Sequence, residues 1–170
     1  MMTGDDHTAN LATQEGKTNP KAEKFREFLT ESKINFFGAE TVGGEALTVL
    51  FRTTLNVHRQ QLPLIFFTDT SIYTMIRILI IPAVMNNNNR TKVIEYLNEL
   101  NSKYKIFKYS VTGDGDIVLD ISLPCLPEFF DPRLVMTAIE LAVNHLTEIF
   151  FEFMRRVWGE GNEPGSSAPN

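Results

Sequence analysis

Between Leu47 and Pro82 apolar and polar residues alternate with a period of two, whereas from Val135 to Met154 they recur with a period near 3.6. In ALTVLFRTTLNV, Leu47, Val49, Phe51, Leu55 and Val57 point one way and Thr48, Arg52, Thr54 and Asn56 the other, which predicts a half-buried strand. Gly43 and Gly44 precede it and suit a tight hairpin with INFFGAETV, since glycine takes positive φ without steric cost. A further strand, LPLIFFT, runs into the turn residues TDTS.

The most apolar run, IYTMIRILIIP at 72–82, follows that turn. As a strand it sets Ile72, Thr74, Ile76, Ile78 and Ile80 on one face and Tyr73, Met75, Arg77, Leu79 and Ile81 on the other. The β-branched Ile series favours a strand, and two apolar faces favour a central one. The face bearing Arg77 then needs a cover, from the chain's own long helix or from another chain. A membrane span is not expected here: Asp69, Arg77, Pro63 and Pro82 break the apolar stretch from Leu62 to Met85, and the uncharged piece after Arg77 is far short of about 20 residues.

Three helices frame these strands. Asn19 followed by Pro20 is a start signal, and Phe25, Phe28 and Leu29 then share a face. After the loop Asn86 to Asn89, with Asn89 as the expected cap, Val93, Ile94, Leu97, Leu100 and Tyr104 line one side of a second helix. Two strands, IFKYSVT and DIVLDISL, joined by GDG, place Phe107, Tyr109 and Val111 with Ile117, Leu119 and Ile121. The last helix opens with Asp131 as cap and Pro132 in its first turn and runs about seven turns. One stripe holds Val135, Ala138, Ala142, Leu146, Ile149 and Phe153, and a second beside it Met136, Ile139, Val143, Phe150 and Met154. Phe151 falls on the polar side, among Arg133, Thr137, Glu140, Asn144, Glu148 and Arg155, where it is either an incidental exposed aromatic or a contact for another chain.

Composition changes this picture only at the ends. Of the net charge of −5, residues 1–19 and 159–170 each carry −2, leaving a nearly neutral body without a basic footprint for nucleic acid. The polar stretch 1–18 and GEGNEPGSSAPN at 159–170 read as flexible tails around one domain, 19–158. A single cysteine, Cys125, excludes an intrachain disulfide, and the N-terminus lacks the positive and apolar regions of a signal peptide, so a cytoplasmic location is expected.

Candidate chemistry is sparse. TGDGDIVLD offers Asp114, Asp116 and Asp120, but a calcium loop starting at Asp114 would need Gly at its sixth position and an acid at its twelfth, where Leu119 and Cys125 stand. Cys125 lies between two prolines with no context placing His7, His58 or His145 beside it as a base. His145 reads as a boundary residue of the last helix, and no phosphate-binding glycine loop is present. Arg77 either pairs with an acid of a partner or lays its stem across the sheet.

IRILIIPAVMNNNNRTKVIEYLNELNSKYKIFKYSVTGDGDIVLDISLP, with YLNELN (Asn98, Asn101) leading to an aromatic strand, a Gly/Asp turn, a second strand and the long terminal helix, resembles the YbjN family, described as bacterial sensory transduction regulators. That resemblance implies a fold similar to type III secretion chaperones, small acidic proteins that dimerise and bind extended partner segments, and supplies no catalytic residues. Taken as local structure, Asn98 and Asn101 shape the helix exit. The expectation is therefore an α+β fold, an antiparallel sheet packed by helices in the order α-β-β-β-β-α-β-β-α. With it goes a non-enzymatic module without a cofactor or metal, binding a protein or peptide through Tyr73, Arg77 and Phe151. A homodimer is expected, and neither nucleic acid nor a membrane is an expected partner. The alternative is a small-ligand protein or enzyme with a pocket between sheet and last helix, drawing on Arg77, Tyr73 and His145.

Overall fold

The computed structural model describes residues 18–159; the expected tails lie outside the described residues except at 18 and 159. The elements are α1 (Pro20–Glu31), β1 (Gly38–Gly43), β2 (Thr48–Val57), β3 (Gln60–Thr68), β4 (Thr74–Ile81), α2 (Arg90–Lys103), β5 (Lys108–Val111), β6 (Ile117–Ser122), a 3₁₀ turn (Pro127–Phe129) and α3 (Pro132–Trp158). The strands form one six-stranded sheet in the order β1-β2-β3-β4-β6-β5, with every neighbouring pair antiparallel. This is the α+β order expected, with the apolar run at 74–81 in the sheet interior.

The helix starts follow from their caps. Asn19 Oδ1 accepts from the N–H groups of Lys21 and Ala22, and its Nδ2 donates to Leu47 O and Thr68 O, so one side chain starts α1 and ties it to the sheet. Asp131 accepts from Arg133 N at 3.0 Å at the start of α3. Asn89 departs from expectation: its Oδ1 accepts from Asn86 N and its Nδ2 donates to Val84 O, so it closes the Asn loop instead of capping α2. The buried face of α2 is Val93, Tyr96, Leu97 and Leu100; Ile94 is exposed, because Tyr96 turns inward to meet Phe153.

Three strand boundaries also differ. Leu47 sits in the β1–β2 turn at φ 50° and not in β2. Ile72 and Tyr73 precede β4, and Ile106 and Phe107 precede β5. A β-bulge between Leu79 and Ile81 reverses the expected parity: Ile81 pairs with Ile117, a core residue, and is itself buried, so it leaves the face that carries Arg77.

The core lies between the sheet and the helices. Phe25 is its hub, with ring centroids 4.8 Å from Phe51 and 4.7 Å from Phe66. Both stripes expected on α3 are confirmed in outline: the first is buried throughout, and of the second Ile139 and Phe150 are buried while Met136, Val143 and Met154 are half-buried. Among the described residues α3 is the one helix long and apolar enough to cross a membrane, with mean hydropathy 1.4 over its most apolar stretch. Part of that apolarity lies along the face buried in the core, while Leu134, Leu141 and Phe151 are exposed.

Candidate functional site

Strand register separates the two faces of the sheet. On one face Phe51, Phe66, Ile76 and Ile121 align across four strands, and Leu64, Ile78, Leu119 and Tyr109 form the next row; all are buried beneath the helices. On the other, Leu50, Phe67, Met75 and Ser122 form one row, and Arg52, Ile65, Arg77, Asp120 and Lys108 the next. Leu79, Val118 and Ser110 continue it. On this second face Leu50, Ile65, Phe67, Met75 and Leu79 are half-buried, although each belongs to a well-paired strand. The helices pack on the opposite side, so among the described residues none covers the face of β4 bearing Arg77.

Arg77 does not wait for an outside acid. Asp120 lies directly across from it on β6, and the two form a bidentate pair, Nε to Oδ1 at 2.7 Å and Nη2 to Oδ2 at 2.8 Å. Hydrogen bonding to Asp120 raises the guanidinium pKa. The pair neutralises the one ionic spot in the middle of the apolar face, leaving that patch without net charge at its centre.

Tyr73 stands at the end of the same face, 66% exposed, where with Phe67, Met75 and Ser122 it lines a small hollow of about 220 Å³. Its position is set from beneath. Lys21, fully buried, donates to Ser71 O and Tyr73 O at 2.7 Å and to Thr74 Oγ1 at 2.9 Å. Burial lowers the pKa of this ammonium, against the opposing charge of Asp69, and its three hydrogen bonds go to neutral oxygen acceptors. Lys21 was not read as a structural residue from the sequence, yet it stands four residues before Phe25 and so on the buried face of α1.

Phe151 belongs to the helical layer and not to this face. It is 69% exposed, as expected, but it meets the His58 ring of the β2–β3 turn at 4.5 Å, while His58 Nε2 lies 2.8 Å from Thr147 O. The three expected contact residues therefore divide: Tyr73 and Arg77 share the open sheet face, and Phe151 is separate.

His145 is no boundary residue. It is buried against Tyr104 and Phe107, with centroids 4.1 and 4.4 Å away, and shares a 2.7 Å hydrogen bond with the Tyr109 hydroxyl. Burial lowers its pKa to about 4 and raises that of the Tyr109 phenol. Arg77, Tyr73 and His145 thus do not converge on one pocket, and neither His58 nor His145 is engaged with Cys125, whose N–H donates to Ile72 O beside Lys21. His7 lies outside the described residues. Among the described residues no group of three His, Cys, Asp or Glu side chains is placed to hold a metal ion. Asp116 instead accepts from Ala83 N at 2.8 Å, and Gly115 takes φ 84° in the hairpin turn.

Asn101 has a role its sequence context did not disclose. Its side-chain amide donates to Tyr109 O and accepts from Tyr109 N, at 3.0 and 2.6 Å, replacing a neighbouring strand along the outer edge of β5. No protein-family model matches the chain, and no curated protein matches it at the level of sequence.

Proposed function

We propose that this protein is a non-enzymatic interaction module, chaperone-like or regulatory, whose open sheet face binds a protein or peptide segment. One observation carries this reading: Leu50, Ile65, Phe67, Met75 and Leu79 form a continuous half-buried apolar patch around a neutralised Arg77–Asp120 pair, with α1, α2 and α3 on the other side. A sheet face of this kind is ordinarily covered or polar. The buried ionisable side chains are bonded to one another or to main chain, Lys21 to carbonyls, His145 to Tyr109 and Asp120 to Arg77, while the buried Thr68 hydroxyl has no partner among the described residues. That employment supports binding over catalysis. The likeness to YbjN proteins, with the homodimer it implies, belongs to the same proposal.

The test is a photo-crosslinking residue placed singly at Phe67, at Met75 and, on the helical layer, at the exposed Glu27 of α1. Adducts with a protein partner or a second copy are expected from the first two positions and not from the third. Adducts from Glu27 alone, or none from the sheet positions in the cell, would overturn the proposal. Light scattering that finds only a monomer at all concentrations would remove the dimer.

A further inference from the structure

We propose that the wedge where β5 and β6 part receives an extended peptide segment that is both apolar and acidic, so that the partner is recognised in part as an added strand. This rests on the interaction reading above and gives the partner a chemistry. The β5–β6 ladder starts at Lys108 opposite Asp120. Before Lys108 the chain leaves the line of the sheet while β6 runs on to Ser122, and an open cavity of about 500 Å³ lies between them, floored by α3.

Three features of the wedge select its occupant. The first is unpaired main chain. Leu123 N–H donates to Thr74 O at 2.8 Å, toward β4, and main-chain groups alternate along a strand, so Ser122 turns its N–H and C=O toward the wedge, where the β5 ladder has no residue to meet them. The far edge of β5 is already occupied by Asn101. The second is apolar lining: Ile106, Leu134 and Leu141 face it while 50%, 58% and 47% exposed. The third is charge. Lys105 and Lys108 stand at the mouth, exposed and without an ion pair among the described residues, on a chain of net charge −5, and the one acid lining the wedge, Asp120, is held by Arg77. An extended segment with alternating apolar and acidic residues satisfies all three, placing apolar side chains on Leu134 and Leu141, acids by the lysines and main chain against Ser122. A fatty acid matches the last two features but leaves Ser122 unmet, and an open wedge does not enclose an alkyl chain as small-molecule sites do.

The experiment passes two random decapeptide pools over the immobilised full-length protein, one alternating apolar residues with Asp or Glu, the other with Lys or Arg. Retained peptides are then followed by fluorescence anisotropy and by amide chemical shifts. The acidic pool should be enriched at least about tenfold over the basic one. Its peptides should shift the amides of Ser122, Ile106 and Leu141, and should lose about tenfold or more in affinity on N-methylation of alternate amides. They should lose as much with Lys105→Glu combined with Lys108→Glu, a surface pair whose circular dichroism should not change. Equal retention of the pools overturns the inference, as do shifts at the free β1 edge, Ala39 and Thr41. Palmitate shifting the wedge amides while neither pool is retained reassigns the wedge to a small amphiphile. Shifts confined to Leu50, Phe67 and Met75 overturn the wedge and leave the sheet-face function standing; loss of that function would instead show as absent crosslinks from Phe67 and Met75.

Discussion

Protonation of His145 should loosen the packing of α3 against the α2–β5 junction. The imidazole is 6% exposed, sandwiched by Tyr104 and Phe107, and bonded to the Tyr109 hydroxyl. Burial, the dominant influence, lowers its pKa from 6.5 to about 4; Glu148 acts weakly in the opposite direction and Lys103 in the same one. Because the native state takes up this proton later than the unfolded chain does, stability falls as pH drops through the window from 6.5 to about 4. Linkage gives a loss of about 2 kcal/mol between about pH 7.5 and about pH 5, and about 3 kcal/mol once the pH is below both values. Urea denaturation of the wild type and of His145→Gln at the two pH values isolates the effect. Gln keeps a hydrogen-bonding group for Tyr109 but does not titrate, and the carboxylates common to both proteins cancel in the difference. The wild type should lose about 2 kcal/mol more than the variant on acidification. Equal losses, within about 0.5 kcal/mol, would mean that the folded protein accommodates a charged His145 and that the aromatic sandwich does not exclude it.

Lys21→Met keeps most of the buried volume but strands Ser71 O, Tyr73 O and Thr74 Oγ1 without their donor, so it should cost about 2–4 kcal/mol in chemical denaturation; a loss under about 1 kcal/mol would mean the ammonium is not their essential partner. Asn101→Ala removes both bonds to Tyr109, and should cost about 1–2 kcal/mol and accelerate hydrogen exchange at the Tyr109 amide more than at Leu119, whose strand stays paired on both sides.

What was legible in the sequence and what was not divide along a physical line. Patterns written by one element alone were readable: the alternation of Val49, Phe51 and Val57, the first α3 stripe, and the Asn19-Pro20 and Asp131-Pro132 starts appear where local periodicity and capping chemistry place them. The failures come where a second element decides. Ile81 went to the wrong face because a bulge inserts Ile80 into the ladder, and a run of isoleucines gives no sign of where its register slips. Asn89 failed as a cap because four consecutive asparagines offer equivalent side chains and the loop geometry chose among them. Arg77 and Asp120 were each readable as outward-facing, but their contact needs β4 beside β6, a pairing across a helix and a hairpin that no local pattern encodes. His145 misled for the same reason: its own helix puts it at the edge of the apolar stripe, and only the arrival of Tyr104, Phe107 and Tyr109 from the α2–β5 junction buries it. The open face follows the converse logic. Its apolar residues were readable as surplus from the two apolar sides of 72–82, but surplus becomes a surface only once the helices have taken the other side, so the sequence could pose the question of a cover and only the packing shows that residues 18–159 do not provide one.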